Sequence, residues 1–170
     1  MKEIKNILTD SFGRKHNYLR ISLTERCNLR CSYCMPVDGV PLTPKAHLMN
    51  AEELFEIAQL FVKEGVNKIR LTGGEPLVRK DFPEILKSLA SLPVSISITS
   101  NGVGIERHIP LLKAHGVKSI NLSLDTLDAH KFKKITFRNY FKNVFENIFK
   151  LIEAGIKVKI NVVLMKGVND

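Results

Sequence analysis

The sequence predicts an α/β fold of about five βα units, in which the strands form a single parallel sheet. Segments with strand character and segments with helix character alternate from residue 18 onward. Alternate positions of the predicted strands are polar, whereas the positions between them are mostly apolar. Side chains alternate between the two faces of a strand, so one face of the sheet is polar throughout. This pattern favours a curved sheet with helices outside and a polar inner face that lines a cavity; a polar face left open to solvent is the alternative.

The predicted elements follow in order along the chain. The first strand, YLRISL at 18–23, precedes a long irregular loop. A capping box at Asn50 and Glu53 then begins a helix that extends to Glu64. Two of the predicted helices, this one and the last, also show helical spacing of their apolar residues. The remaining elements are a strand at 68–72, a helix near 81–92, a strand at 94–99, a helix near 105–115, a strand at 118–124, a helix near 140–154 and a strand from about 157 to 164.

The polar strand positions form one set, called the polar set here. Its members occupy every second position of each strand, a regularity that we call strand parity. The polar set consists of Arg20, Ser22 and Thr24; Lys68, Arg70 and Thr72; Ser97, Thr99 and Asn101; Asn121, Ser123 and Asp125; and Lys157, Lys159 and Asn161. Each strand also ends in an unusual polar or glycine-containing stretch: TERCNLRCSYC, TGGEP, TSNG, SLD and MKGVND. Functional groups of barrel-type α/β proteins collect at the carboxyl ends of the strands. These stretches therefore predict a single site at that edge.

Composition restricts the class of protein and of partner. The chain has 170 residues and a net charge of +9, from 26 Lys and Arg against 17 Asp and Glu. This excess favours anionic partners, either nucleic acid or nucleotide phosphates, without separating the two. No apolar run is long enough to span a membrane, and charges interrupt every apolar stretch of the N-terminus, so no signal peptide is predicted. We therefore expect a cytoplasmic protein without a membrane partner, in which residues 1–170 belong to one domain.

All three cysteines of the chain, Cys27, Cys31 and Cys34, lie within eight residues. In a cytoplasmic protein such a cluster indicates metal or redox chemistry rather than disulfides. A structural zinc site needs four ligands, and His16 or His47 could supply the fourth. A [4Fe–4S] cluster held by three thiolates would instead keep one iron open for a small molecule. The iron–sulfur cluster is favoured, and a zinc-binding interaction module is the alternative from a different class.

The cysteine spacing C-x-x-x-C-x-x-C, with Tyr33 directly before the last cysteine, resembles the motif of the radical S-adenosylmethionine superfamily. The GGEP loop after the second strand strengthens the resemblance, because in that superfamily a loop of this type receives the methionine amino group. Gly73, Gly74 and Glu75 match it. The resemblance implies a [4Fe–4S] cluster on the three cysteines, with S-adenosylmethionine on its open iron. The family cleaves this cofactor reductively to a 5′-deoxyadenosyl radical.

A narrower resemblance covers nearly the whole chain. The segments DSFGRKHNYLRISLTERCNLRCSYCMP, KIRLTGGEPLVRKDF, TSNG, INLSLDTLD and KVKINVVLMKGVND are similar, in this order, to the GTP 3′,8-cyclase family of molybdenum cofactor (molybdopterin) biosynthesis. These lyases convert GTP to (8S)-3′,8-cyclo-7,8-dihydroguanosine 5′-triphosphate in the first step. By motif position, the resemblance implies S-adenosylmethionine contacts at Tyr33, Gly74 and Ser123. It implies GTP contacts at Arg20, Arg70, Thr99 and Lys159.

The implied GTP contacts agree with the strand parity, because all of them belong to the polar set. Three of them, Arg20, Arg70 and Lys159, are cations, and three cations facing one cavity suit a triphosphate. A related radical enzyme that acts on RNA or a peptide is an alternative interpretation. An inactive remnant is another.

The family extends past position 170, where it adds further strands and a second three-cysteine [4Fe–4S] site whose ligands are absent from this sequence. The expected fold is therefore an incomplete radical-SAM-type parallel β/α barrel, the N-terminal portion of the core domain, either truncated or excerpted. Phe137 departs from the family, which usually has glycine there. The resemblance also implies an external electron donor, homodimers and cooperation with the next enzyme of the pathway. Nucleic acid is not expected as a partner.

Overall fold

The computed structural model describes residues 7–36, 39 and 41–170. The elements are β1 Tyr18–Ser22, α1 Ala51–Lys63, β2 Lys68–Thr72, α2 Phe82–Ala90, β3 Ser95–Ser100, α3 Ile109–Ala114, β4 Ser119–Ser123, α4 Ala129–Thr136, α5 Phe141–Glu153 and β5 Lys157–Asn161. Short 3₁₀ turns lie in the connections at Lys45–His47, Pro76–Val78 and Ile105–His108. The predicted alternation of strands and helices is confirmed.

The five strands form one parallel sheet in the order β1-β2-β3-β4-β5. Parallel strands in sequential order are joined by right-handed crossovers, which place the connecting helices on the same side of the sheet. Within the described ranges β1 and β5 do not pair with each other, so the sheet is not closed. The predicted α/β fold, an incomplete parallel barrel, is confirmed.

The apolar face of the sheet is buried beneath the helices. Its central side chains are fully buried: Ile69, Leu71, Ile98, Ile120 and Leu122. They belong to one hydrophobic core with side chains of all five named helices, including Leu54, Leu86, Leu112, Phe132 and Val144. Because strand side chains alternate between faces, this core leaves the polar set on the opposite face.

The capping box predicted at the start of α1 is present. Asn50 Oδ1 accepts the Glu53 N–H at 2.9 Å, and the Glu53 carboxylate accepts the Asn50 N–H at 2.8 Å. These reciprocal bonds satisfy backbone donors that would otherwise be unpaired at the helix start. Local sequence therefore determines where the cysteine-containing loop ends and α1 begins.

The helix α4 has no counterpart among the predicted elements. Its sequence, AHKFKKIT, buries only Phe132, Ile135 and Thr136. Two turns with so few apolar positions give a weak periodic signal. The start of α4 is capped by Asp128, whose Oδ1 accepts the Lys131 N–H at 2.8 Å. Such a short helix depends on capping and tertiary contacts more than on its own pattern.

The last strand is shorter than predicted, because β5 ends at Asn161 and not at Leu164. The Leu124 N–H donates to the Asn161 carbonyl at 3.0 Å. Two residues later the Val163 N–H donates to the Asp125 carboxylate at 2.9 Å. Beyond Asn161, a side-chain acceptor therefore replaces the backbone acceptor of the neighbouring strand. The apolar periodicity of the sequence does not show where this replacement occurs.

The end of α4 places Phe137 in the left-handed region, at φ 54° and ψ 26°. Its N–H donates to the Lys133 carbonyl at 2.8 Å, as in a left-handed helix cap. Among the described residues, Phe137 is the one residue other than glycine with a positive φ. The departure from glycine at this position therefore leaves the left-handed turn in place.

We expect Phe137→Gly to raise the free energy of unfolding by about 0.5–1 kcal/mol. Glycine avoids the side-chain clash of the left-handed region, although it loses more conformational freedom on folding. Phe137 is 58% exposed, so little packing is lost with the ring. Urea denaturation measures the difference. Phe137→Ala is the control, since it removes the ring but keeps the Cβ, and equal stability of the two variants would contradict this explanation.

Candidate active site

The loop that carries the cysteines leaves the carboxyl end of β1 and packs on the GGEP loop after β2. The Gly74 N–H donates to the Thr24 carbonyl at 2.6 Å. The Glu75 N–H donates to the Arg26 carbonyl at 2.8 Å. A Cβ on Gly73 or Gly74 would lie closer than 3.0 Å to backbone atoms of the cysteine loop. The close approach of the two loops therefore requires glycine at both positions.

The middle of the cysteine loop is held by the end of α4. The Arg30 N–H donates to the Thr136 carbonyl at 3.0 Å. The Ser32 N–H donates to the Ile135 carbonyl at 2.9 Å. These bonds flank Cys31, so the backbone around the second cysteine is fixed by a helix that lies far along the chain.

The far end of the cysteine loop contacts the ends of β4 and β5. The Tyr33 hydroxyl donates to Asp125 Oδ2 at 2.7 Å, and Asp125 Oδ1 accepts the Val163 N–H at 2.9 Å. Burial raises the pKa of Tyr33, and the bond to the Asp125 carboxylate raises it further. Tyr33 is therefore a neutral hydrogen-bond donor, and Asp125 ties it to two strand ends.

The three thiols differ in exposure and electrostatic environment. Cys27 and Cys31 are half-buried, and Cys34 is exposed. Burial raises the pKa of the Cys27 thiol. Burial raises the pKa of Cys31 to about 11, and repulsion from Cys27 when that thiol is ionised adds to the effect. Both thiols are thus protonated at neutral pH, and a bound cationic metal would stabilise the thiolates that act as ligands.

The positions of the potential metal ligands among the described residues bear on the zinc alternative. Across residues 7–36, 39 and 41–170, no three His, Cys, Asp or Glu side chains are placed to hold one ion. His16 lies beside Asp10, with 3.7 Å between Nε2 and Oδ2, and His47 lies in a 3₁₀ turn. The zinc alternative gains no support from this geometry. An iron–sulfur cluster distributes its ligands over several irons, so its cysteines do not converge on one point.

Glu75 is 0% exposed, and both of its carboxylate oxygens accept hydrogen bonds within the protein. Oε1 accepts the Ser100 hydroxyl at 3.0 Å and the Leu77 N–H at 3.2 Å. Oε2 accepts the Asn101 N–H at 2.7 Å. Burial raises the pKa of Glu75 to about 7 in spite of these donors. The side chain therefore joins the GGEP loop to the end of β3, and the two glycines before it remain exposed.

The raised pKa of Glu75 makes stability depend on pH. The carboxyl titrates near 4.5 in the unfolded chain and at about 7 in the folded chain. The folded state holds this proton more tightly, so the contribution of Glu75 to stability is complete below pH ~4.5 and is lost as the pH rises through ~7. We expect Glu75→Gln to flatten the fall in the free energy of unfolding across this window, measured by urea denaturation of the metal-free chain. Glu84→Gln, at an exposed position of α2, is the control; an unchanged profile in Glu75→Gln would contradict the burial effect.

The residues predicted to contact GTP lie on the polar face in two neighbouring rows of the sheet. Arg20 of β1 is aligned with Arg70 of β2. Asn121 of β4 is aligned with Thr99 of β3 on one side and with Lys159 of β5 on the other. The structure thus places Arg20 beside Arg70, and it places Thr99 and Lys159 in one row, two strands apart.

Arg70 carries a buried donor that lacks a partner. Its Nε is buried and forms no hydrogen bond within the described part of the chain. Its guanidinium lies over the ring of Tyr18, with Cζ 5.7 Å from the ring centroid. An unpaired buried donor is costly, and an anion on the polar face would satisfy it.

The residues predicted to contact S-adenosylmethionine lie at the same edge of the sheet. Ser123 is half-buried at the end of β4, aligned with Asn161 of β5. Tyr33 lies on the cysteine loop and Gly74 on the GGEP loop, at the carboxyl ends of β1 and β2. Since the strands are parallel, these positions share one edge with the three cysteines.

Three residues that organise this edge are not among the predicted site residues: Asn101, Asp125 and Arg79. Asn101 and Asp125 belong to the polar set, so strand parity could have indicated both as candidate site residues. Arg79 donates from Nη1 to the Leu23 carbonyl at 2.8 Å, across 56 positions of sequence. No local pattern indicates that contact, which holds the start of the cysteine loop.

A cavity of about 430 Å³ adjoins the first cysteine. Its lining includes Arg26, Cys27, Asn28, Arg30 and Met35. This volume is within the range of small-ligand sites. Space therefore remains beside Cys27 after the loop has packed on the sheet.

In the part of the chain that the structure describes, no helix combines the length and apolar character needed to cross a membrane.

Comparison with known proteins gives matches over nearly the whole chain. The model of the Radical SAM superfamily matches residues 21–170. Molybdenum cofactor biosynthesis protein 1 of Bos taurus is 57% identical over 166 residues, which are 96% of this chain and 26% of that protein. GTP 3′,8-cyclase, mitochondrial, of Arabidopsis thaliana is 52% identical over 170 residues, which are 98% of this chain and 44% of that protein. The chain thus spans between a quarter and a half of the length of these relatives.

A solved structure shows a similar fold. Streptococcus suis SuiB, in a crystal structure bound to S-adenosylmethionine, superposes with a TM-score of 0.73 at 24% sequence identity. The match covers 88% of this chain and 33% of that chain. The open parallel sheet and its helices are therefore an arrangement that experimental structures also contain.

Proposed function

Because the chain belongs to the radical SAM superfamily, we propose that it is the N-terminal portion of a GTP 3′,8-cyclase, with the radical-generating site and part of the GTP site. The superfamily implies a [4Fe–4S] cluster and S-adenosylmethionine as cofactors. The observation that carries the proposal is the packing of the three-cysteine loop on the GGEP loop, at the edge of a face that carries Arg20, Arg70 and Lys159. The relatives named for molybdenum cofactor biosynthesis and for GTP cyclisation support the same reaction.

The residues present fit the cluster. Cys27, Cys31 and Cys34 would each bind one iron and leave a fourth iron for S-adenosylmethionine. The Leu29 N–H lies 3.4 Å from Cys27 Sγ and the Asn101 amide lies 3.5 Å from it, as donors suited to a negatively charged sulfur. When bound, the cluster and S-adenosylmethionine supply the 5′-deoxyadenosyl radical, with one electron from an external donor.

The residues of the polar face would position GTP for this chemistry. Arg20, Arg70 and Lys159 would neutralise the triphosphate, and the unpaired Nε of Arg70 supports this assignment. Thr99 would accept or donate one further hydrogen bond. In the proposed reaction the protein's part would be to hold the GTP ribose near the cofactor and to exclude water.

S-adenosylmethionine would lie between the cysteine loop and the ends of β2 and β4. We assign its contacts to Tyr33, Gly73, Gly74, Glu75 and Ser123. The carboxylate of Glu75 is fully partnered within the protein, so its part in binding is to hold the GGEP backbone in place. The exposed backbone of Gly73 and Gly74 would then meet the methionine amino group.

The wider context belongs to the same proposal. The second [4Fe–4S] cluster, a homodimer and the next enzyme of the pathway are predictions from the family resemblance. The cytoplasmic location is also a prediction, and the Arabidopsis relative is named as mitochondrial.

Nucleotide binding by the anaerobically reconstituted chain tests the substrate. We expect isothermal titration to give at least about tenfold tighter binding of GTP than of guanosine, because the cations of the polar face recognise the triphosphate. Equal affinities for GTP and guanosine would contradict the proposed site. Tighter, strongly salt-dependent binding of RNA would favour a radical enzyme that acts on RNA.

A further inference from the structure

Asn101 connects three parts of the site. Its Nδ2 lies 3.5 Å from Cys27 Sγ and 2.7 Å from Asn28 Oδ1. Its backbone N–H donates to Glu75 Oε2 at 2.7 Å. Asn101 is 8% exposed, so these contacts form away from bulk water.

The orientation of the Asn101 amide follows from its partners. Its Oδ1 accepts the Val103 N–H at 3.0 Å, so this atom must be the oxygen. The other amide atom is therefore the nitrogen, and it faces Cys27 and Asn28. A flipped Asn101 amide would place its oxygen against the side-chain oxygen of Asn28, Oδ1. It would also leave the Val103 N–H without its acceptor.

We propose that Asn101 is a positioning residue whose amide donates to the Cys27 sulfur and raises the reduction potential of the bound cluster. This inference rests on the proposed function. Reduction adds negative charge to a cluster and its thiolates, so donors to the sulfur stabilise the reduced form more than the oxidised form. The Leu29 N–H, 3.4 Å from the same sulfur, is a backbone donor that is retained by any side chain at this position except proline. The Asn101 side chain is thus a donor through which the protein stabilises negative charge on the Cys27 sulfur.

The contact also couples the cluster site to the GGEP loop. Glu75 fixes the Asn101 backbone, and Asn101 in turn holds the loop residue Asn28. Ser100, the residue before Asn101, donates its hydroxyl to the same Glu75 carboxylate and not to the Cys27 sulfur. Ser100 therefore offers a matched control, because its substitution disturbs the same network without removing the donor to Cys27.

A redox titration of the reconstituted chain, followed by electron paramagnetic resonance, tests the inference. Asn101→Asp keeps the shape of the side chain and replaces the donor with an oxygen, and Asn101→Ser removes the whole amide and leaves a shorter side chain. We expect both to lower the reduction potential, with a change of up to about tenfold in the equilibrium constant, or ~59 mV for a one-electron couple. Asn101→Asp should give the larger shift, and Ser100→Ala should leave the potential near that of the unmodified chain.

Each other outcome overturns the inference. Unchanged potentials in both Asn101 variants, or an equal shift in Ser100→Ala, would show that the amide does not act on the sulfur. Folded Asn101 variants that lose the cluster, while Ser100→Ala retains it, would assign Asn101 to assembly and not to the potential. Absence of a [4Fe–4S] signal from the unmodified chain would overturn the proposed function as well, so the two failures are distinguishable.

Discussion

Cys31→Ser is expected to lose the iron–sulfur cluster and, with it, the cleavage of S-adenosylmethionine. The chain has three cysteines in all, so no other thiol can replace the lost ligand. A serine hydroxyl does not ionise near neutral pH, and it is a poor ligand for iron–sulfur clusters. We expect bound iron and acid-labile sulfide to fall by about tenfold or more after anaerobic reconstitution. Colorimetric assays of both elements measure the loss.

The neighbouring residue supplies the control for this substitution. Ser32 lies next to Cys31 on the same loop and is exposed, and its backbone N–H bonds the end of α4. Ser32→Ala leaves that backbone bond intact and should retain the full cluster. If Cys31→Ser bound as much iron and sulfide as Ser32→Ala, the three-cysteine site would be refuted.

Arg70→Ala is expected to weaken GTP binding by about ten- to a hundredfold. The estimate is the usual cost of removing a charged hydrogen-bond partner, on the order of 1.5–3 kcal/mol. The Arg70 side chain is partly fixed by the Tyr18 ring before any ligand binds, so little ordering is needed on binding. Isothermal titration of the reconstituted chain measures the affinity.

Arg107→Ala is the matched control, since it removes the same charge from a side chain that is 83% exposed and lies in the 3₁₀ turn before α3. It should change GTP affinity by less than about threefold, as expected for an exposed charge that solvent ions screen. A similar loss in both variants would mean that net charge, and not a site on the polar face, governs binding.

The elements that the sequence predicts well are those whose determinants are local. The capping box of α1 uses two residues three positions apart, and both of its bonds are present. Strand parity separates the polar face from the core because alternation is a property of each strand by itself. The helix α4 is not predicted because its few apolar positions give no clear helical period in the local sequence.

The contacts that assemble the site are long-range, and sequence patterns do not encode them. Tyr33 and Asp125 are 92 positions apart, and Asn101 and Cys27 are 74 apart. Parity places Asp125 and Asn101 on the correct face but does not say which loop they touch. The sequence therefore predicts the edge at which the site lies, and only the folded chain shows how the cysteine loop is fastened there.

The GGEP loop shows how one sequence signal can have two physical causes. Its glycines match a cofactor-binding loop of the superfamily, but in the structure they are also required by the approach of the cysteine loop. Glu75 matches a ligand-binding carboxylate, but its oxygens bond Leu77, Ser100 and Asn101. A match by motif position therefore indicates a candidate loop, and the contacts of each side chain indicate its role.

The proposed radical-generating site is tested most directly by formation of 5′-deoxyadenosine. The anaerobically reconstituted and reduced chain would be incubated with S-adenosylmethionine, with or without GTP, and the product quantified by chromatography and mass spectrometry. We predict formation of 5′-deoxyadenosine that increases with GTP and is absent from Cys31→Ser. A chain with a full cluster that forms no 5′-deoxyadenosine under either condition would contradict the claim that this portion contains a working radical generator.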